Sequence, residues 1–221
     1  CNETNNILNG YDGDDIIYGL DGDDVFDATG RWGADTFYGG LGDDNYYVYS
    51  SIASDIIVEY ANEGIDTVRI NSTSQYTLPE NVERLVVFNN DENKVLTGNN
   101  LDNTIAAKGG DDIIYGLGGD DIIYCGAGND IISGGTGSDK FIFYLGDGQN
   151  VITDFEMSAD SCYVADDTGN VVNMIGYESF NEAEIIAGNA VLTLFDGTSV
   201  TLEGISSYLP NSSNIDSGLV A

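Results

Sequence analysis

A nine-residue period dominates this sequence and limits the folds open to it. Residues 10–18 read GYDGDDIIY and 19–27 read GLDGDDVFD. After a two-residue slip at Ala28-Thr29, 30–38 read GRWGADTFY and 39–47 read GGLGDDNYY. The unit returns as AKGGDDIIY (107–115), GLGGDDIIY (116–124), CGAGNDIIS (125–133) and GGTGSDKFI (134–142). Glycines gather in the first four places, Asp holds place six and a large apolar residue holds place eight. A unit this short cannot bury a hydrophobic face alone, so units must stack on one another. Degenerate copies flank both arrays: NETNNILN puts Asn6 and Leu8 at places six and eight, and GNNLDNTIA (98–106) does so with Asn103 and Ile105. A chain that begins at the edge of an array is expected to be part of a longer protein.

Residue type predicts what each unit does. The glycine-rich places form a turn, because glycine tolerates positive φ and close backbone approach. The last three places, such as Ile-Ile-Tyr, favour a strand. Stacked in parallel, the strands turn their middle residues inward: Ile17, Phe26, Phe37, Tyr46, Ile114, Ile123, Ile132 and Phe141. That core is thin. Ordering costs about 1–2 kcal/mol per residue, more than one buried side chain in nine residues offsets. Each turn, however, delivers a carboxylate beside backbone carbonyls. Such oxygen donors suit a hard, flexible cation taking six to eight ligands, which is Ca²⁺ rather than Mg²⁺.

Charge fits that expectation. Thirty-eight Asp+Glu against six Lys+Arg give a net charge of −32. That rules out ordinary nucleic-acid binding, which needs a basic face, and argues against docking on anionic membrane surfaces. The absence of His excludes imidazole catalysis and HExxH zinc chemistry. No apolar run is long enough for a membrane span, and CNETNNILNG has no secretory-signal pattern. Three cysteines (Cys1, Cys125, Cys162) are too few for a disulfide scaffold, though a Cys125–Cys162 bridge stays open.

The nonapeptides resemble the GGxGxDxUx repeats of the RTX (repeats-in-toxin) family, which bind calcium. The resemblance implies an all-β fold: a parallel β-roll, or β-solenoid, in two repeat blocks with a C-terminal β-rich cap. It implies two nonapeptides per coil, with each ion between repeats i and i+2. Carried over, Asp112 pairs with Asp130, Asp121 with Asp139 and Asn103 with Asp121. In the first array Asp15 pairs with Asp35, Asp24 with Asp44 and Asn6 with Asp24. On this expectation Asp121 serves two sites and Asp139 one. Backbone ligands implied by the family pattern are Gly13, Gly19, Asp21, Gly22, Gly30, Trp32, Gly39 and Leu41, then Gly110, Gly116, Gly118, Gly119, Cys125, Ala127, Gly134 and Thr136. About six Ca²⁺ ions or more are expected.

Residues 1–49 are thus expected as the first block and 98–142 as the second. Between them, 50–97 read as irregular glycine-poor coils that continue the stack. There Asp55 and Asp66 precede Ile56-Ile57-Val58 and Thr67-Val68 as second-tier ligands. Lys94 falls at an Asp place, where its ammonium would replace an ion or simply face solvent. Residues 143–205 read as the cap, with a hairpin at Asp196-Gly197, a short helix at 179–186 and Asp154 near the last ion. The tail, 206–221, resembles a type I secretion signal.

The expected function is a calcium-binding region of a larger secreted or cell-surface protein, folding on Ca²⁺ after type I export. The expected partner is the type I secretion machinery. The alternative is a calcium-dependent adhesion, self-association or surface-layer module, using outward stripes that include Ile16, Tyr18, Tyr38, Tyr47, Tyr115, Tyr124 and Ile131. The chain itself is not expected to be an enzyme; catalysis, if any, is left to the parent protein.

Overall fold

The computed structural model describes residues 3–28, 33–49, 55–89, 91–165, 171–175, 184–186, 189–193 and 197–204. The gathered glycines bend each turn and the apolar triplet extends after it, so successive units lie on opposite faces. Units two apart therefore pair in parallel. The longest sheet has ten strands: Ile7–Asn9, Val25–Ala28, Asn45–Val48, Thr67–Ile70, Arg84–Val87, Thr104–Ala106, Ile122–Tyr124, Lys140–Tyr144, Ser161–Ala165 and Val171–Ile175. The last pairs antiparallel with its neighbour. The opposite face is split. Ile16–Asp21, Thr36–Leu41 and Ile56–Val58 make a three-stranded sheet. An eight-stranded sheet begins at Gln75–Thr77 and passes through Val95–Thr97, Ile113–Gly118, Ile131–Thr136 and Gln149–Ile152. The split leaves a cleft beside Ile56, Tyr76 and Val95. The long sheet runs unbroken past it, because Thr67–Ile70 pairs with both Asn45–Val48 and Arg84–Val87.

Register places apolar residue on apolar residue. Ile105 lies opposite Ile123, and Ile123 opposite Phe141. The two-residue slip leaves the ladder in step: Phe26 still faces Tyr46 and Ile17 still faces Phe37. The place-eight residues Phe26, Phe37, Tyr46, Ile114, Ile123, Ile132 and Phe141 are buried in one continuous core, with Ile17 half-buried against it. Phe26 and Tyr46 stack at 4.7 Å between ring centroids. The glycine-poor coils add Ile57, Val68, Ile70, Leu85 and Leu96 to the same core.

At the far end Ser199–Leu202 pairs in parallel with Gln149–Ile152 and antiparallel with Asn189–Thr193, the strand pair of the foreseen hairpin, whose Asp196 lies outside the described residues. The expected helix at 179–186 is corrected where it is described: Glu184–Ile186 is a strand paired with Asn189–Thr193. Two consecutive β-branched residues, Ile185 and Ile186, fit that sheet edge better than a short helix. Residues 179–183 and the tail 206–221 lie outside the described residues. There is no helix among the described residues, hence none long and apolar enough to cross a membrane. Cys125 and Cys162 are buried free thiols, so the bridge between them is not formed.

Candidate calcium columns

The turns share one backbone form. Place two takes positive φ even where it is leucine, +85° at Leu20 and +83° at Leu117. That conformation costs an L-residue about 1–2 kcal/mol. Some other interaction in the turn must offset it.

Place six of every unit on the long sheet sits just before a strand, so these residues stack in a column. The aspartate side chains each accept the backbone N–H of the place-six residue one coil below, whereas Asn103 Oδ1 accepts the N–H of Asn99 (2.7 Å). Asn6 N–H donates to Asp24 Oδ1 (2.7 Å), Asp24 N–H to Asp44 (2.7 Å) and Asp44 N–H to Asp66 (2.8 Å). In the second array Asn103 N–H donates to Asp121 (2.7 Å), Asp121 N–H to Asp139 (2.9 Å) and Asp139 N–H to Asp160 (2.9 Å). The other face repeats the device. Asp15 N–H donates to Asp35 (2.9 Å) and Asp35 N–H to Asp55 (3.0 Å). Lys94 N–H donates to Asp112 (2.7 Å), Asp112 N–H to Asp130 (2.8 Å) and Asp130 N–H to Asn150 Oδ1 (3.0 Å). All six pairs drawn from the sequence are thus in direct contact through one oxygen and one amide.

The second carboxylate oxygen carries the chemistry. Oδ2 of Asp24, Asp44, Asp112, Asp121, Asp130 and Asp139 is buried with no hydrogen-bond partner. A buried unpaired carboxylate oxygen is costly and calls for a cation. Burial accordingly holds the carboxyls of Asp44, Asp66, Asp112 and Asp121 at about 7 and those of Asp130 and Asp139 at about 6.

A cradle opens beside these oxygens. A Cβ added at Gly116 would collide with Asp121 Oδ2 and with the carbonyl of Gly134 one coil above. At Gly19 it would meet Asp24 Oδ2 and the Gly39 carbonyl, and at Gly98 Asn103 Oδ1 and the Gly116 carbonyl. Carboxylate and carbonyl oxygens therefore converge where place one has no side chain, a donor set that fits Ca²⁺. Place-three carbonyls of Leu41, Ala127 and Thr136 accept the N–H of Gly22, Gly110 and Gly119 one coil below, leaving each a second lone pair. Asp21 and Gly118 lie opposite Leu41 and Thr136 in the ladder. Place-four carbonyls of Gly13, Gly22, Gly110 and Gly119 each face the place-four glycine above, at Gly33, Gly42, Gly128 and Gly137. Gly30 and Trp32 lie outside the described residues.

A family model described as the RTX calcium-binding nonapeptide repeat matches four times, over residues 2–30, 28–46, 97–132 and 126–152. These are RTX calcium-binding nonapeptide repeats. A 52-residue stretch is 52% identical to Endo-1,3-1,4-beta-glycanase ExsH of Rhizobium meliloti (strain 1021), covering 24% of this chain and 10% of that protein. Among solved structures, the extracellular lipase LipA from Serratia marcescens is similar over 95% of this chain and 38% of its own, at 18% identity and a TM-score of 0.35. The chain spans about a tenth of the curated glycanase it matches.

Several features of the RTX columns escaped the sequence reading. Place five forms a second, exposed ladder in the opposite sense. Asp102 Oδ1 accepts Asp120 N–H (2.8 Å), Asp120 Oδ1 accepts Ser138 N–H (2.8 Å) and Asp23 Oδ1 accepts Asp43 N–H (3.0 Å). Its signal was the repeated Asp-Asp itself. Asp160 and Asn150 extend the columns beyond the last repeat, at spacings of 21 and 20 that a period of nine does not find. Asp154 is fully engaged, accepting Ser133 O–H (2.5 Å) and the N–H groups of Gly134 and Gly135 (3.0 Å each). Cys125 puts a buried thiol at place one beside Asp130, where the long-sheet units have glycine. Lys94 is only 2% exposed and its Nζ has no partner, so the solvent-facing reading of it is corrected.

Proposed function

We propose that this chain is the calcium-folded region of a larger secreted or cell-surface protein. In the low calcium of a cytosol its carboxylates repel and it stays unfolded for type I export. Outside, calcium fills the columns and the roll forms, so that metal binding supplies the folding free energy. The observation that carries this reading is the row of buried Oδ2 atoms without partners, set in RTX repeats. The carboxylates of the repeats are committed to their ladders, so the chain is assigned no catalytic residue. Any catalytic activity belongs to the parent, as the glycanase name belongs to the relative. The test is far-ultraviolet circular dichroism with chelator and then with millimolar calcium. A β spectrum that calcium induces and Mg²⁺ does not is expected; a spectrum indifferent to calcium would refute the reading.

A second reading, calcium-dependent association, is favoured by one observation. Tyr18 and Tyr38 stack at 4.7 Å on the outer face, and Tyr18 is 52% exposed beside Ile16 at 65%. Contiguous exposed apolar surface of this kind marks an interface. Sedimentation at rising concentration in calcium should show association that Tyr18→Ser weakens. A parent chain that stays monomeric throughout removes self-association.

A further inference from the structure

Glu59 stands where the repeat pattern has no acid. Val58 pairs with Tyr38, so Glu59 lies directly above Gly39, in the place-one position of the next coil. In the regular units that position supplies a carbonyl to the cradle below it, as Gly39 does above Asp24 and Gly134 above Asp121. At the end of the first block the glutamate side chain takes this role. A Cβ at Gly39 would collide with Asp44 Oδ2, Glu59 Oε1 and Tyr46 Oη together.

The result is a cluster unlike the others. Asp44, Glu59 and Asp66 each offer an oxygen within 4.8 Å of the rest, and all three are buried. Glu59 is 4% exposed and Asp44 0%, yet Glu59 Oε2 and Asp44 Oδ2 have no partner. Tyr46 O–H donates to Glu59 Oε1 and holds the carboxylate toward the pair. Asp66 is already tied to Asp44 through the Asp44 N–H.

We infer that Asp44, Glu59 and Asp66 form a junction calcium site, tighter than those within the blocks, that fastens the first block to the glycine-poor coils. The inference rests on the reading of the columns as calcium sites and deepens it. Replacing a neutral carbonyl by a carboxylate adds one negative charge to the donor set, and ligand charge is a main determinant of calcium affinity. The site also joins elements that the repeat does not: Asp44 from the block, Glu59 after the strand Ile56–Val58 and Asp66 before the strand Thr67–Ile70. It forms where the three-stranded sheet of the opposite face ends, at Ile56–Val58.

The experiment is a calcium titration by calorimetry and a Tb³⁺ titration excited through tyrosine, on the parent chain, Glu59→Gln and Tyr46→Phe. Glu59→Gln keeps shape and an acceptor for Tyr46 but removes the charge. The parent should show a tight first step of about one ion with strong Tb³⁺ luminescence, since the Tyr46 phenol touches the site. Glu59→Gln should weaken that step by at least ~tenfold and leave the later steps unchanged. Tyr46→Phe should keep the calcium count and lose most of the first-step luminescence. A parent that binds calcium with a first step unchanged in Glu59→Gln overturns the junction site and leaves the column reading standing. A parent that binds no calcium overturns both. If Glu59→Gln fails to fold at all, Glu59→Asp, one methylene short of the pair, must show the same weakened first step; an unchanged step there also overturns the proposal.

Discussion

Glu59 and Asp154 hold the same position at the ends of the two blocks. Each stands twenty residues after a place-one glycine, Glu59 above Gly39 and Asp154 above Gly134. One methylene separates their chemistry. The shorter Asp154 stops at the turn, where Ser133 and the amides of Gly134 and Gly135 satisfy it. The longer Glu59 also draws on the Gly40 amide of its turn, yet reaches on to Asp44 and Asp66 and keeps one oxygen without a hydrogen-bond partner. One block ends in hydrogen bonds and the other in an acid poised for a cation.

Gly116→Ala tests the cradle. Gly116 does not take positive φ, so an alanine is not strained by its backbone there. Its methyl would instead occupy the space between Asp121 Oδ2 and the Gly134 carbonyl. One calcium fewer per chain is expected by equilibrium dialysis, with a loss of about 1–3 kcal/mol in calcium-saturated stability from overpacking. An unchanged ion count would show that no ion uses that space.

Asp121→Asn and Asp139→Asn should raise the calcium midpoint of folding by similar amounts. The repeat period alone gives Asp121 two column neighbours and Asp139 one. The structure gives Asp139 a second, because its N–H donates to Asp160 at 2.9 Å. Both are therefore interior to the column. A midpoint shift for Asp139→Asn less than half that for Asp121→Asn, followed by circular dichroism, would mean that Asp160 does not complete a site.

These contrasts mark what the residues could tell in advance. The roll, its inward residues and the pairing of Asp112 with Asp130 or Asp24 with Asp44 were legible because one physical rule repeats eight times. Glu59 and Asp160 were not, and Lys94 only as one of two alternatives, because each acts at a boundary where the period fails and only tertiary stacking sets the neighbour. The strand at Glu184–Ile186 was misread for the same reason: its partner, Asn189–Thr193, lies in a hairpin outside the repeat.

The pH dependence should reverse with calcium. Burial raises the Asp44, Asp66, Asp112 and Asp121 carboxyls to about 7, above their ordinary value of 3.8. Between those values the ion-free roll holds protons that the unfolded chain releases, so its stability falls as pH rises. With calcium the ligands must be deprotonated, so affinity falls as pH drops below about 7. In ion-free buffer any β signal should therefore be greatest near about pH 5 and fade toward pH 8, where the chain is unfolded, while melting temperatures in calcium should climb over about pH 5 to 7. Parallel trends in the two series would contradict the column as the metal site.

Lys94 ends the second block's column with a fixed charge. It occupies place six one coil below Asp112, and its own N–H donates to Asp112 Oδ1 at 2.7 Å. Its Nζ and Asp112 Oδ2 are both buried without hydrogen-bond partners, and its charge pulls the Asp112 carboxyl down against the larger effect of burial. An ammonium here would serve the lowest Asp of the block as an ion serves those above. Removing it leaves the Asp112 carboxylate uncompensated, so Lys94→Met should lower stability in calcium by about 3 kcal/mol, measured by denaturant unfolding. Lys94→Asp should do the opposite of an ordinary charge reversal. It extends the carboxylate column by one coil, and the chain should then bind one more calcium than the parent by equilibrium dialysis. If Lys94→Asp folds and binds only the parental number, the position is not cation-shaped and the lysine is there for packing alone.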